Sequence, residues 1–461
     1  MELVIVLHAI ALIHYKGSTI HTHEIKIILY SFIGLILLGA ALLSLPFAHN
    51  GELRFIDALF TSTSAVCVTG LIVKDTPVDF TPFGHVVILT LIQIGGLGYM
   101  TAVTFMAVIR KQKINHRDRL ILKESLNHPG MDGLVRFLKI VFASIIIIEA
   151  VGMIILTLRF WIDMPLDKAV WFGTFHAISA FNNAGFSLFS DNMMGYQGDT
   201  VINLTIPFLI ILGGLGYIVL LEIYNYRRGQ LLRISTHTKI VLYMSVILII
   251  IGMVLLLSME WNNPKSFGAM STYEKILAAW FASVNYRTAG FNSIDFSTLT
   301  DANLFFSTFL MMTGGSPGGT AGGIKTTAVA LALIGVWYTL RGSTHAHIFR
   351  RSISPYQINK AYAVIFVASI YVVISTIILS EVDRLPFLRI LFETTSAFGT
   401  VGLSTGNGGV LSYSALFSDW GKLNIIVLML MGRVGVFAFT IVIVGKAVES
   451  RIKYAEGKVI I

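Results

Sequence analysis

Long apolar runs recur along the chain and alternate with shorter polar stretches. Each run holds close to the ~20 apolar residues that a helix needs to cross a hydrocarbon core of about 30 Å. The pattern predicts an all-α integral membrane protein in which these runs are spanning helices. The runs lie at 27–48, 86–109, 138–158, 201–224, 240–257, 361–379 and 424–445.

Between the runs of each pair lies a segment of about 12 to 15 residues, which is too short to cross a membrane. We interpret these segments as re-entrant pore helices followed by extended backbone. Such backbone is tolerated at membrane depth only where it is buried or lines a watery cavity, because unpaired peptide groups are costly in lipid. The segments are FTSTSAVCVTGL at 60–71, FHAISAFNNAGF at 175–186, WFASVNYRTAGF at 280–291 and FETTSAFGTVGL at 392–403.

The four segments are copies of one pattern, which begins with an aromatic residue and ends in glycine followed by Leu or Phe. The glycines are Gly70, Gly185, Gly290 and Gly402, which recur 115, 105 and 112 residues apart. A second motif is also repeated, as LIQIGGLGY at 91–99 and as LIILGGLGY at 209–217. Each repeat has two crossings and one re-entrant loop, so the repeats are parallel and predict pseudo-four-fold symmetry around one pore.

The predicted organisation has four units between two terminal segments. Unit one spans 27–112, unit two 113–230, unit three 231–345 and unit four 346–446. An N-terminal segment at 1–26 and a C-terminal tail at 447–461 flank them.

Composition agrees with a membrane protein and excludes several other classes. Hydrophobic residues make up 55% and charged residues 13% of the 461 residues, and the mean hydropathy is +0.76. The net charge of +9 comes from basic clusters at 110–123, 227–233 and 341–351. All three fall on one predicted side, so the positive-inside pattern explains them without nucleic acid and predicts cytoplasmic termini. The single cysteine, Cys67, forms no intrachain disulfide and no zinc site built on cysteine pairs.

The repeated segments suit a cation filter. A short helix followed by extended backbone can aim carbonyl oxygens at an ion and replace its hydration shell. Glycine leaves a narrow passage open and adopts backbone angles closed to other residues. Thr400, Val401 and Gly402 match the start of the TVGYG sequence of potassium channels. The predicted filter residues are Cys67, Val68, Thr69, Gly70, Asn182, Asn183, Ala184, Gly185, Arg287, Thr288, Ala289, Gly290, Gly399, Thr400, Val401 and Gly402.

SAFNNAGF at 179–186 and YRTAGFNS at 286–293 resemble the Trk/Ktr/HKT superfamily of K+ and Na+ transporters. The bacterial Ktr-type membrane subunit is the most similar type, and the resemblance covers the chain from about residue 25. Four filter glycines imply K+ uptake across the cytoplasmic membrane, with Na+ dependence left open and no cofactor in this chain. The resemblance also implies a homodimer and a KtrA-like cytoplasmic ring of nucleotide-binding subunits. The basic clusters at 110–123 and 341–351 are predicted to dock that ring or to bind anionic lipid.

Unit three departs from the pattern. The serine that stands six residues before the glycine in the other units is replaced by Val284. Asn285 and Arg287 follow it, so the third segment is predicted to be braced differently.

The stretch TGGSPGGTAGGIKTT at 313–327 places six glycines and a proline inside an apolar run, where a helix cannot continue smoothly. The resemblance implies an intramembrane loop that lies under the filter as a movable gate. A kinked helix packed through small residues is the alternative. A phosphate-binding loop is excluded because Ile324 separates Gly323 from Lys325 and no strand precedes them. The predicted gate residues are Gly314, Gly315, Ser316, Gly318, Gly319, Thr320, Gly322, Gly323, Lys325 and Arg433.

Three charged residues are placed at membrane depth, where charge is costly and therefore a sign of function. Arg433 resembles the family's pore-facing arginine, and the alternative is a structural arginine paired with carbonyls or with Glu149. Lys325 either contacts the gate or reaches to the interface. Glu149 is interpreted as a packing or hydrogen-bonding residue rather than a proton carrier. The residues interpreted as braces rather than metal ligands are His176, Asn182 and Asn183.

Three rival functions remain for comparison. A symporter that alternates access around carboxylates needs midplane charges in several helices, and Glu149 alone qualifies. A membrane-embedded enzyme needs a cluster of His, Ser or Asp inside the spans, and we find none. A transporter that passes Na+ is the third alternative.

Overall fold

The computed structural model describes residues 20–98, 134–343, 345–436 and 438–440. These residues form fifteen α-helices, three short 3-10 turns and one two-stranded ribbon. The predicted N-terminal segment to residue 19, the basic cluster at 110–123 and the C-terminal tail at 447–461 lie outside the described residues.

The helices follow the same order in every unit: a long helix, a short buried helix and then a second apolar helix. Unit one has α1 (Ile20–Leu43), α2 (Phe55–Val66), α3 (Thr76–Asp79) and α4 (Pro82–Leu97). Unit two has α5 (Leu134–Phe160), α6 (Leu166–Phe181), α7 (Thr200–Gly214) and α8 (Tyr217–Arg227). Unit three has α9 (Thr236–Glu260), α10 (Thr272–Asn285), α11 (Asp301–Met312) and α12 (Thr326–Leu340). A ribbon of β1 (His347–Ile348) and β2 (Arg351–Ser352) precedes α13 (Pro355–Asp383), α14 (Phe387–Gly399) and α15 (Asp419–Val434) of unit four.

The first helix of each unit is long and apolar enough to cross a membrane. In the helices at 138–160 and 236–260 only 33% of the most apolar window is buried inside the protein. The rest is an outward belt of Ile, Val and Leu, which is the surface expected against lipid. These helices confirm the mainly helical membrane architecture that the apolar runs predict.

The short helices α2, α6, α10 and α14 form the buried centre. Their aromatic side chains Phe60, Phe175, Phe281 and Phe392 are all fully buried. Several of their polar side chains are buried as well, and in units one, three and four one of them forms a hydrogen bond with the first helix of its own unit. The hydroxyl of Ser62, for example, donates to the carbonyl oxygen of Ile36 at 2.7 Å. The interior therefore holds buried polar groups among its apolar core, while much of the outer surface is apolar.

The second helices are short or broken, which corrects the prediction of continuous spans. The run at 201–224 is not one helix, because α7 and α8 meet at a bend of 98°. The break follows from Gly216, whose φ of 94° and ψ of 138° are closed to other residues. Helices α4 and α15 end at Gly98 and Gly435 with the same kind of backbone, at φ of 79° and 98°.

Unit three replaces this single-glycine break with a longer one. Helix α11 ends at Met312 and α12 begins at Thr326, and a loop joins them. A short parallel bridge pairs Thr313 with Ile324 and closes the loop at its base. The alternative of a kinked continuous helix is therefore wrong.

Candidate functional site: a ring of glycine segments above an intramembrane loop

The four segments that follow the short helices converge on one point. We call residues 67–70, 182–185, 287–290 and 399–402 the glycine ring. All sixteen residues are buried. A methyl group built on Gly185 would lie 2.6 Å from the Cα of Gly290, and one built on Gly290 would lie 3.0 Å from the carbonyl oxygen of Val401. Side chains at Gly70 and Gly402 would likewise collide with the backbone of neighbouring segments. The ring therefore has room for glycine only at these positions.

The four segments share one backbone conformation. In each of them the glycine and the residue two positions before it have positive φ. The values are 57° and 93° for Val68 and Gly70, 59° and 74° for Asn183 and Gly185, 65° and 74° for Thr288 and Gly290, and 51° and 87° for Thr400 and Gly402. A positive φ at a residue other than glycine costs on the order of 1–3 kcal/mol, so surrounding contacts must enforce it.

The backbone of the ring brings carbonyl oxygens of one segment close to the glycines of another. The N–H groups of Thr69, Ala184 and Val401 point back and donate to serine carbonyls of their own short helices, each at 2.8 Å. Their carbonyl oxygens each lie beside a glycine of another segment. The oxygen of Ala289 does the same in unit three. Four carbonyls thus meet around a narrow space.

The third segment is braced differently, as Val284 predicts. In unit one the hydroxyl of Ser64 accepts the N–H of Gly70 at 3.0 Å. In unit three the side-chain oxygen of Asn285 takes over and accepts the N–H of Phe291 at 2.9 Å. A longer side chain one position later therefore replaces the missing serine.

Several predicted ring residues have distinct surroundings. Cys67 is fully buried and ends α2. Arg287 is 7% exposed, and its Nε has no hydrogen-bond partner among the described residues. The side-chain NH2 of Asn182 donates to Gln93 at 2.7 Å and to Glu149 at 3.2 Å. Glu149 therefore lies behind the ring in a hydrogen-bonded cluster, as the packing interpretation proposes.

A cavity of about 210 Å³ opens from one side of the ring, and we call this side the mouth. Gly70, Gly185, Gly290 and Gly402 line it together with acidic residues from units one, two and three. These are Asp75, Asp191 and Asp295. Burial raises the pKa of Asp75, and the neighbouring Asp79 carboxylate adds to the effect, whereas a hydrogen bond from Ser190 opposes it.

On the opposite side of the ring lies the intramembrane loop, which we define as residues 313–325. A side chain at Gly322 would meet the Thr400 hydroxyl, and the hydroxyl of Thr320 donates to Asn183 Oδ1 at 2.8 Å. Nζ of Lys325 donates to the carbonyl oxygen of Ala321 at 2.7 Å, so it contacts the loop itself. Of the predicted gate residues, Thr320, Gly322 and Gly323 therefore lie directly against the ring.

The loop also repairs the break between α7 and α8. The N–H groups of Ser316 and Thr320 donate to the carbonyl oxygens of Gly214 and Gly213, at 2.9 and 3.1 Å. The N–H of Tyr217 donates to Gly318 at 3.0 Å. A broken helix leaves backbone N–H and carbonyl groups without partners. The loop of unit three supplies these partners and thereby offsets the energetic cost of the break in unit two.

Arg433 joins the loop to α4. Its guanidinium donates to the carbonyl oxygens of Thr320, Gly95 and Gly96, the last at 3.0 Å. Beyond it lies a cavity of about 820 Å³, lined by Lys325 and Arg433 among other residues. The pairing of Arg433 with carbonyls and its position at the cavity are thus both present, and no bond to Glu149 is needed.

Sequence reasoning missed a third copy of one motif. GRVG at 432–435 corresponds to GGLG at 95–98 and at 213–216, so Arg433 occupies the position of Gly96 and Gly214. Side chains at Gly95, Gly213 and Gly432 would each meet a carbonyl oxygen near the end of a short helix. The signal in the sequence was the pair of glycines three residues apart, which is common to all three motifs. Glu393 was missed too, although it lies within the fourth repeated segment.

The sequence matches the cation transport protein family TrkH over residues 6–450. The chain belongs to this family. Membership confirms the superfamily that the segment motifs indicate, and it identifies this TrkH-family chain as a membrane cation transporter rather than an enzyme.

Relatives of this TrkH-family chain are similar over nearly their whole length. It is 41% identical to the Ktr system potassium uptake protein B of Bacillus subtilis over 434 residues, which cover 94% of this chain and 96% of the relative. It is 37% identical to the potassium/sodium uptake protein NtpJ of Enterococcus hirae, over 95% and 97% of the two chains. The crystal structure of the potassium transporter TrkH from Vibrio parahaemolyticus shares the fold, with a TM-score of 0.72, 18% identity and coverage of 93% and 85%.

Proposed function

We propose that this chain mediates K+ uptake through one pore whose selectivity filter is the glycine ring. The observation that carries the proposal is the convergence of four segments with the same alternating positive φ, because it directs carbonyl oxygens toward one space. Rings of carbonyls replace the hydration shell of K+ without a full charge in the membrane. The pseudo-four-fold arrangement of units one to four around this pore is part of the proposal.

Unpartnered polar atoms at the ring support an ion-filled site. The hydroxyls of Thr69, Thr288 and Thr400 are buried and have no hydrogen-bond partner in the part of the chain that the structure describes. Buried polar groups usually find a partner, and a hydrated or partly hydrated cation supplies one.

The intramembrane loop and Arg433 act as the gate in this proposal. The loop closes the inner side of the ring, and the guanidinium places a positive charge next to it. Both oppose the passage of a cation until the loop moves. The 820 Å³ cavity then forms the inner vestibule.

The mouth faces the outside in this arrangement. Its acidic residues raise the local concentration of cations, whereas exposed basic residues such as Arg228 and Arg351 lie toward the cytoplasm. We further propose a homodimer in a bacterial cytoplasmic membrane, regulated by a cytoplasmic nucleotide-binding ring. Two relatives are named as parts of a Ktr system, which supports a transporter with more than one component. Na+ acts as an activator in this scheme.

A Na+-permeable pore is the second candidate, because one relative is named a potassium/sodium uptake protein. The ring favours K+, since all four positions carry glycine.

The proposal is tested by K+ uptake in a bacterium that lacks its own K+ transport, at low external K+ with and without Na+. Gly290→Ser should lower the uptake rate at least tenfold or admit Na+, because its side chain has backbone from three segments within 3.2 Å. Gly51→Ser is the matched control, since Gly51 also has positive φ but nothing within 4 Å. If the wild type transports neither ion even with its cytoplasmic partner, the proposed function is wrong.

A further inference from the structure

Two buried hydrogen-bond acceptors occupy the same position in units two and four. His176 and Glu393 each stand nine residues before the glycine of their segment, and both are 0% exposed. Thr61 and Phe281 occupy that position in units one and three. Units two and four therefore carry a buried His or Glu acceptor at this position, and units one and three do not.

Glu393 ties α14 to the segment that follows the ring. Its Oε2 accepts the hydroxyl of Ser404 at 2.7 Å. Its Oε1 accepts the N–H and the hydroxyl of Ser414, at 2.8 and 2.5 Å. Ser404 stands two residues after Gly402, so one carboxylate holds both ends of the loop at 404–414, which lines the mouth.

His176 makes the equivalent contact in unit two. Its Nδ1 lies 2.7 Å from the carbonyl oxygen of Phe172, so Nδ1 carries the hydrogen and Nε2 accepts. Nε2 accepts the hydroxyl of Ser187 at 3.0 Å and the N–H of Leu188 at 3.3 Å. Ser187 stands two residues after Gly185, as Ser404 does after Gly402.

The two serines continue the parallel. The hydroxyl oxygen of Ser187 accepts the N–H of Phe189 at 2.9 Å, and that of Ser404 accepts the N–H of Gly406 at 3.1 Å. Each acceptor therefore fixes a turn of the same form at the outer edge of the ring.

Units one and three are held by their neighbours instead. Ile72 of unit one donates to the Ser412 hydroxyl at 2.9 Å and accepts the Ser412 N–H at 3.0 Å. Asn292 of unit three accepts the N–H of Met193 at 3.0 Å. The loop that follows the unit-four segment thus holds unit one, and the loop that follows the unit-two segment holds unit three.

We propose that Glu393 and His176 are positioning residues that hold the outer end of all four ring segments and thereby maintain K+ selectivity. Each acts directly in its own unit and through its loop in the next. The inference rests on the proposed function, because the width of a carbonyl ring and the field of its oxygens decide which ion replaces water best. A buried network that has lost one acceptor leaves donors unpaired, so the segments it holds loosen.

The variant Glu393→Gln tests this with minimal change of shape. Its amide oxygen can still accept from Ser414, but its NH2 group faces the Ser404 hydroxyl. That hydroxyl oxygen already accepts N–H groups from Gly406 and Tyr413, at 3.1 and 2.7 Å. The contact with Ser404 is therefore lost while the rest remains.

The matched control is Thr61→Val at the same position in unit one. The Thr61 hydroxyl is buried and has no hydrogen-bond partner among the residues that the structure describes, so its removal breaks no contact. Two quantities are measured on the purified full chain in detergent. One is the apparent Kd for K+ and for Na+ from thermal stabilisation, and the other is amide hydrogen exchange.

Glu393→Gln should weaken K+ binding about tenfold, narrow the difference between K+ and Na+, and speed exchange at 404–414 and around Ile72. Thr61→Val should match the wild type in both measurements. Ser404→Ala also removes the acceptor of the Gly406 and Tyr413 N–H groups, so it should weaken K+ binding at least as much. The double variant Glu393→Gln with Ser404→Ala should then bind K+ no more weakly than Ser404→Ala alone.

Three outcomes separate the ideas. If Glu393→Gln resembles Thr61→Val in ion affinity and exchange, the positioning role is overturned. If it lowers only the melting temperature, leaving the ion affinities and exchange unchanged, Glu393 is merely structural and the proposal fails. If K+ does not stabilise the wild type while exchange still rises in Glu393→Gln alone, the proposed function is wrong and the anchoring stands.

Discussion

The glycine ring and the level of the intramembrane loop lie in contact, but they differ in symmetry. All four units contribute the same kind of segment to the ring, whereas they contribute different segments to the level of the loop. At the ring every unit contributes the same short segment with the same pair of positive φ values. One layer below, units one and two carry GGLG, unit four carries GRVG and unit three carries a thirteen-residue loop. The four units are therefore alike at the glycine ring and unlike at the level of the intramembrane loop.

The proposed roles of the two levels, as ion filter and as gate, explain this difference. An ion that replaces its hydration shell needs oxygens from all sides, so each unit must supply them. Control of passage needs only one movable segment and one charge. The cost of breaking helices at this level is offset locally, because the loop accepts and donates the hydrogen bonds that Gly213, Gly214 and Tyr217 lack.

Among the tests of this comparison, the largest expected effect comes from replacing Arg433, which unit four alone carries at the GGLG position. Arg433→Met should raise the K+ uptake rate about tenfold, because it removes a cation beside the ring and its hydrogen bonds to Thr320, Gly95 and Gly96. The K+ uptake rates of the variant and the wild type are compared in a bacterium that lacks its own K+ transport.

Arg433→Lys separates charge from bridging. Lysine keeps the positive charge but lacks the planar fork that reaches three carbonyls. Uptake near that of the wild type would assign the effect to charge, and uptake near that of Arg433→Met would assign it to the bridge. Unchanged uptake in both variants, and after deletion of 318–319, would remove the gate proposal.

An intermediate effect is expected where the two levels touch. Gly213→Ala should destabilise the protein by about 1–3 kcal/mol, because its methyl group would meet the carbonyl oxygen of Phe181. Gly214→Ala is the neighbouring control, since the nearest atom to its methyl group is Nδ2 of Asn183 at 3.5 Å. Thermal unfolding in detergent compares the two, and equal melting temperatures would contradict the close packing.

The smallest effect is expected at the mouth. Asp75→Asn should raise the KM for K+ about twofold at low ionic strength and not at high salt, because one negative charge near the ring is lost. The pKa of Asp75 is raised by burial, so the wild type should lose this charge at a higher pH than an ordinary aspartate. Its KM should therefore rise on mild acidification, whereas that of Asp75→Asn should stay flat.

Ionisation of Asp75 favours cation binding at the mouth but disfavours the folded state. Because the pKa is higher in the folded state, ionisation of Asp75 destabilises the fold as the pH rises through that value. Asp75→Asn should thus be at least as stable as the wild type at pH 7. A lower melting temperature would show that the carboxylate makes a contact that Asn cannot.

Much of the architecture was predictable because membrane burial leaves a strong pattern. The long first helices and the four short buried helices follow from run length and from the repeated segments. The replacement of serine by Val284 correctly indicated a different brace, which the structure assigns to Asn285. The continuous span at 201–224 was a wrong prediction, since apolar composition is the same on both sides of Gly216.

Sequence by itself determined the apolar spanning helices and the position of the four glycines, because apolar length and glycine spacing are local properties. Only the tertiary structure decided the partners of Arg433 and of Glu393. A lone charge in an apolar run shows that burial must be compensated, but it does not show by which group. The compensating carbonyls and hydroxyls come from distant units, and they meet only when four segments close around one space.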